Sequence, residues 1–130
     1  KTNKRKELID ITSEVSKALK NSKVKDGIIF VYSKHTTTAI IINENADPNL
    51  LDDFLETLSE LIPDSNGYKH DEIDNNAGAH IKSAIIGSEK FVPIENGEMM
   101  LGKWQNIFLV ELDGPREREV VVKIIENRKL

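Results

Sequence analysis

The chain has no cysteine among its 130 residues. That excludes disulfides, thiolate metal ligands and a cysteine nucleophile. It suits a reducing compartment. No apolar run approaches the roughly 20 residues needed to span a bilayer, so no membrane partner is expected. Basic residues open the chain (Lys1, Lys4, Arg5, Lys6), but no apolar segment follows them, and a secretory signal needs both. The expected location is the cytoplasm. Excess positive charge is also lacking. A formal net charge of -4 is the opposite of the basic footprint of a general nucleic-acid binder, so no nucleic acid is expected as a partner. The basic start reads as a solvated first strand or tail before it reads as an anion-binding arm.

Missing motifs narrow the chemistry further. There is no phosphate-cradling GxxxxGK or GxGxxG loop. There is no GxSxG elbow, so Ser33 near His35 does not argue for a serine nucleophile. No HExxH or HxxxH pair marks a metal-binding helix. No internal repeat, linker or low-complexity segment divides the chain, and its length fits one domain over residues 1–130 with a core of its own.

What is present reads as alternating strands and helices, then strands alone. Residues 7–11 (ELIDI) alternate as an opening strand. Thr12 or Ser13 can cap a helix, with Glu14 in its first turn. Residues 28–33 (IIFVYS) and 37–42 (TTAIII) are β-branched, buried strands. If the extended form continues between them, Ser33, His35 and Thr37 share one face. Asp47-Pro48 starts a helix, and Leu50, Leu51, Phe54, Leu55, Leu58, Leu61 and Ile62 give it a wide apolar stripe that should cover one face of the sheet. Residues 79–86 form a short helix with Gly87 just past its end. Strands are expected at 91–94, 99–101, 107–112 and 119–125, with a hairpin turn at Glu95-Asn96-Gly97. A closing run of strands without alternating helices points to α+β: a single domain with a largely antiparallel sheet or sandwich and packed helices.

The candidate site centres on residues 63–87. A loop of that length in a compact domain is usually functional or disordered, and its run into a helix argues for order. It holds His70 and His80, two of the three histidines, and the strands bring His35 towards it. Three neutral imidazoles with one position open to water are a known zinc arrangement, able to acidify a water or polarise a phosphoryl oxygen. Asp74 is placed to orient a loop histidine. A calcium loop starting at Asp74 fails, because Gly78 falls where a ligand is needed and Ala79 where glycine is needed. Glu44 follows a buried strand and could supply a general base or a hydrogen bond near the site. Gly102 could admit a ligand close to the backbone beside Trp104 and Gln105. The alternative is a strand start with Trp104 at the core edge. Arg116 and Arg118 suit phosphate or carboxylate.

Several stretches together resemble one family. "HTTTAIIINENADP" (35–48), His70, "AHIKSAIIG" (79–87) and "PIENGEMMLGKWQNIFLVELDGPRER" (93–118) are similar to the YjbQ-like family, often labelled secondary thiamine-phosphate synthase. The resemblance covers residues 8–126. It implies a single α+β domain assembling as a homotrimer, with sites near subunit contacts. It implies His35, His70 and His80 as a polar cluster binding a divalent metal, zinc or, with a diphosphate substrate, magnesium, with Asp74 close by. It also implies an activity joining a pyrimidine diphosphate to a thiazole phosphate. Many members carry proline where Gly78 stands and threonine where Lys103 stands.

On this reading the chain is a metal-dependent enzyme acting on a small phosphorylated metabolite. Glu44, Asp74 and Arg116 take catalytic roles, and Ser33, Gly102, Trp104 and Gln105 contact substrate. The competing readings are a non-catalytic module that binds an anionic metabolite, and a structural oligomer.

Overall fold

A computed structural model describes residues 1–128; the expected domain runs to residue 130, and positions 129 and 130 lie outside the described residues. In chain order the elements are β1 (Glu7–Asp10), α1 (Thr12–Ser22), β2 (Asp26–Ser33), β3 (Thr38–Asn43), α2 (Pro48–Leu61), a 3-10 turn (Lys69–Glu72), α3 (Ala77–Ile86), β4 (Glu89–Glu95), β5 (Glu98–Met99), β6 (Asn106–Glu111) and β7 (Val120–Glu126). The strands make two antiparallel sheets, one ordered β1-β6-β3 and the other β5-β4-β2-β7. The fold is the α+β sandwich expected: β2 alternates exposed and buried residues, so one side of its sheet packs inward.

Ile29 and Val31 of β2 meet Val92 and Ile94 of β4, Ile40 of β3, and Ile107 and Leu109 of β6 between the sheets. Val15 and Leu19 of α1 join the same core. The three-stranded sheet buries its other face as well. There Ala39, Val110 and Leu112 pack against Ala79 of α3 and Phe54, Leu55 and Leu58 of α2. The result is three layers: sheet, sheet, helices. β4 and β5 are joined through Asn96 and Gly97, both at positive φ (54° and 80°), as a two-residue hairpin turn requires.

Four local expectations are corrected. Thr12 is the first residue of α1, and neither it nor Ser13 caps the helix; the Asp10 carboxylate accepts the Thr12 N–H at 2.9 Å. The Thr12 hydroxyl is freed to accept the Ile107 N–H at 2.9 Å. The extended form does not run on from Ser33 to Thr37: residues 34–37 leave β2 and turn into the other sheet. The third helix begins two residues before position 79, at Ala77. The chain's start is no loose tail. Thr2 is buried; its hydroxyl donates to Glu111 Oε1 at 2.7 Å and accepts the Arg116 N–H at 2.8 Å. The Asp47 cap stands as read, accepting the Asn49 N–H at 2.9 Å.

Candidate functional site

The turn at residues 34–37 carries His35 and is held from below. Ser33 is 1% exposed, hydrogen-bonds Thr38 Oγ1 at 2.5 Å and accepts the His35 N–H at 3.2 Å. Its hydroxyl therefore positions His35, and none of this gives it a nucleophile's surroundings. On the other side of the ring, His35 Nε2 accepts the Glu119 backbone N–H at 2.9 Å. A neutral imidazole has one N–H, so Nδ1 carries the proton and is a donor.

The loop before α3 is ordered by its own polar groups. Tyr68 donates its hydroxyl to Pro63 O at 2.8 Å, and Asp71 accepts the Ala77 N–H at 3.0 Å. Gly78 lets α3 press onto this loop: a Cβ there would stand 2.9 Å from Pro63 O and 3.0 Å from Asp64 Cα. Lys82, 1% exposed, reaches from α3 to pair with Asp64, which Lys6 also pairs. Burial would raise the Asp64 carboxyl, but hydrogen bonds and charge from Lys6 and Lys82 outweigh it and hold the group below its ordinary value. Ser83 donates to Thr38 O and ties α3 to β3. These contacts set His80 facing the 34–37 turn.

Between these elements lies a cavity of about 460 Å3. His35, His80, Asp74, Arg116, Arg118 and Lys34 line it together with Thr36, Thr37, Asn76 and Asp113. Arg118 is anchored by Glu111, which is fully buried, through bonds of 2.8 and 2.5 Å, and it donates to Thr37 Oγ1 at 2.8 Å. Burial pushes the Glu111 carboxyl up, yet bonds from Arg118, Thr2 and the Asp113 N–H bring it below its ordinary value. Arg116 donates to Asp113 O and Oδ2 at 2.8 and 2.9 Å. Its own side chain is half exposed. The cavity thus presents cationic donors above an acidic brace, an arrangement suited to holding an anion without burying an unpaired charge.

The three histidines are strung out more than clustered. His80 shares this cavity with His35, and shares a second, apolar hollow of about 500 Å3 with His70 and Ile81. The His70 and His80 rings stand 5.1 Å apart, edge to face. Asp74 Oδ2 lies 3.8 Å from His70 Nε2, near enough to orient it. Among the described residues no three His, Asp or Glu side chains come close enough together to hold one metal ion. The His35 Nε2 bond points the same way, since a metal at Nδ1 would require loss of the proton there. The residues of one chain do not fit a three-histidine zinc cage.

Four predicted residues lie elsewhere. β3 and β6 pair Thr38 with Glu111 at the cavity end and Asn43 with Asn106 at the other. Those five steps of strand are about 17 Å. Glu44 and Gln105 adjoin that far end. Gly102 and Gln105 bond each other, with the Gly102 N–H to Gln105 Oε1 at 2.8 Å, and Trp104 is 58% exposed under Lys103. None of Glu44, Gly102, Trp104 or Gln105 lines a histidine cavity in this chain. The glycine shapes a turn, and Trp104 is not core. Reading the sequence missed Lys34, Asn76 and Asp113. Asn76 went unnoticed because the helix was expected only from position 79, which left it inside a polar loop.

Fold and cavity together define a small two-sheet α+β protein with a histidine- and arginine-lined cavity at one end of its sheets. The profile described as UPF0047 protein YjbQ-like matches residues 1–127, and the chain belongs to that family. It is 49% identical over 128 residues to a UPF0047 protein of Methanocaldococcus jannaschii, covering 98% of this chain and 91% of that one. A UPF0047 protein of Archaeoglobus fulgidus is 47% identical over 125 residues, covering 96% of each chain. Among solved structures, an uncharacterized protein of the same family from Clostridium acetobutylicum superposes with a TM-score of 0.92 at 48% identity, over 96% of this chain and 95% of that one. A YbjQ-like protein of unknown function from Sulfolobus solfataricus gives 0.93 at 40% identity, over 97% and 91%. No helix among the described residues is long and apolar enough to cross a membrane.

Proposed function

We propose that this is a cytoplasmic enzyme that binds a small phosphorylated metabolite in the 460 Å3 cavity. One observation carries the reading: Lys34, Arg116 and Arg118 converge there with His35 and His80, while Glu111 and Asp113 brace the two guanidinium groups from behind. Such preorganised donors stabilise charge that develops on a departing anion. The activity proposed for them, taken from the family resemblance, is the joining of a pyrimidine diphosphate to a thiazole phosphate. The thiazole nitrogen forms a bond to the pyrimidine methylene carbon. The carbon–oxygen bond to diphosphate breaks, and its electron pair leaves with the diphosphate. Arg116 and the His35 Nδ1–H would receive that charge, and Asp74 would orient His70. Magnesium, arriving with the diphosphate and held largely by phosphate oxygens, needs no three-histidine cage. The proposal includes no nucleic-acid or membrane partner.

We also propose that the chain works as a homotrimer. The outward face of the β4-β2-β7 sheet is apolar, with Phe91 58%, Ile125 50% and Ile28 41% exposed, and Phe30 stacks on Phe91 at 4.7 Å. A patch of this kind marks an interaction surface.

The test is diphosphate release from the two substrates with magnesium, comparing the wild type with Arg116→Ala. The expected loss is tenfold or more. Diphosphate binding without turnover would make the chain a binding module. No diphosphate binding would remove the reading altogether.

A further inference from the structure

The arginine-lined cavity has a mostly polar lining. It suits a phosphate, but it offers little surface against which an organic group could leave water. Sites for small molecules are mainly apolar, with a few polar groups to fix orientation. Apolar surface of that kind adjoins the cavity at His80. This residue lines the cavity and also the apolar hollow of about 500 Å3 bounded by Tyr68, Lys69, His70, Ala77 and Ile81. A second side chain links the two spaces. Asp74 lines the cavity, and its Oδ2 stands 3.8 Å from Nε2 of His70, which lines the hollow.

The hollow suits a flat, uncharged ring. Tyr68 supplies aromatic surface, and its hydroxyl is already given to Pro63 O at 2.8 Å. The His70 and His80 rings stand edge to face at 5.1 Å, and the His70 side chain is 42% exposed, so imidazole surface is open to another ring. Ile81 is 38% exposed, apolar surface that the fold itself leaves uncovered. Lys69 is exposed; its stem can line the hollow while its ammonium stays in water. An ionised group would give up water for an almost wholly apolar lining. Two neighbouring spaces fit a ring less well. The apolar hollow along α2, at Leu50, Phe54, Leu58 and Leu61, shares no residue with the cavity. The space beside Tyr32, Ser88 and Glu89 shares His35 and His80 with it, but its lining is mostly polar and includes the Glu89 carboxylate.

We infer that the hollow is the second half of a two-part site, holding an uncharged aromatic ring of the same compound whose phosphate lies in the arginine-lined cavity, with His80 touching both parts. Ile81 and His70 then recognise the ring, and Arg116 and Arg118 the anion. This rests on the phosphate reading given above.

The experiment is calorimetric titration of the full chain, with magnesium, by four probes: inorganic, methyl, benzyl and 3-phenylpropyl diphosphate. The two linker lengths cover the passage from cavity to hollow, and the tighter ring compound is the one compared. The wild type is expected to bind it about tenfold or more tighter than methyl diphosphate, the gain from burying one ring. In Ile81→Ser that ratio is expected to fall about threefold or more. The ratio cancels any general weakening of the variant. Side-chain NMR of the wild type needs no variant: the His70 signals should move more with the ring compound than with methyl diphosphate. Equal affinities for ring and methyl compounds, a ratio that persists in Ile81→Ser, or His70 signals that respond alike to both would each overturn the inference and leave the phosphate reading intact. Failure of inorganic and methyl diphosphate to bind at all would overturn the phosphate reading and this inference with it.

Discussion

His35 Nε2 accepts the Glu119 backbone N–H at 2.9 Å, so the residue just before β7 decides which imidazole nitrogen carries the proton. Nitrogen NMR at neutral pH should find His35 in the Nδ1–H tautomer. One equivalent of zinc should leave its signals in place. If the His35, His70 and His80 signals all moved together, a three-histidine metal site would be restored.

Arg118 and Glu111 form a buried pair, 6% and 0% exposed. Arg118→Met leaves Glu111 buried without its partner and should cost about 3–5 kcal/mol in urea unfolding. The double variant Arg118→Met/Glu111→Gln should recover part of that loss. The acid dependence has a definite sign. Glu111 sits below its ordinary value when folded, so its contribution is complete above the unfolded value and declines as pH falls through the lower, folded one. A wild-type urea midpoint that stayed flat through that acid range would contradict this.

Asp64 and Lys82 should respond unequally to mutation. Asp64→Ala strands a lysine that is 1% exposed and should cost about 3 kcal/mol. Lys82→Met removes that buried charge and leaves Asp64, which is 46% exposed, with water and Lys6; it should cost less than about 1 kcal/mol. Equal losses in chemical denaturation would mean that the salt link itself, and not the burial of the ammonium, sets the energy.

The outward sheet face should set the assembly. Light scattering of the wild type should give three chain masses, and Phe91→Glu should give one. Leu61→Glu, on the exposed side of α2, should leave the mass unchanged. Dissociation by Leu61→Glu alone would move the interface to the helical layer.

Elements with a local cause were legible in the sequence. Asp47-Pro48 and the apolar stripe after it define α2, and Asn96-Gly97 defines a hairpin. The α+β class followed from the order of the elements, a closing run of strands without alternating helices. The 3-10 turn at Lys69–Glu72 was not legible, since four polar residues carry no periodicity. Neither was the way α1 begins, because Asp10, which accepts the Thr12 N–H, still looks like strand. For the site, chemistry-bearing residue types singled out His35, His80, Asp74 and Arg116, which line one cavity. Glu44, Trp104 and Gln105 had suitable chemistry too. Only the β3–β6 register, a long-range pairing, places them about 17 Å from it.

Thr2 joins Glu111 and Arg116 across more than a hundred positions of chain. Clipping the polypeptide ahead of Glu7 would therefore open a side door. Water would enter beside the Glu111 carboxylate, Arg118 would slacken, and damage done at the molecule's rim would be felt by whatever sits in the hollow.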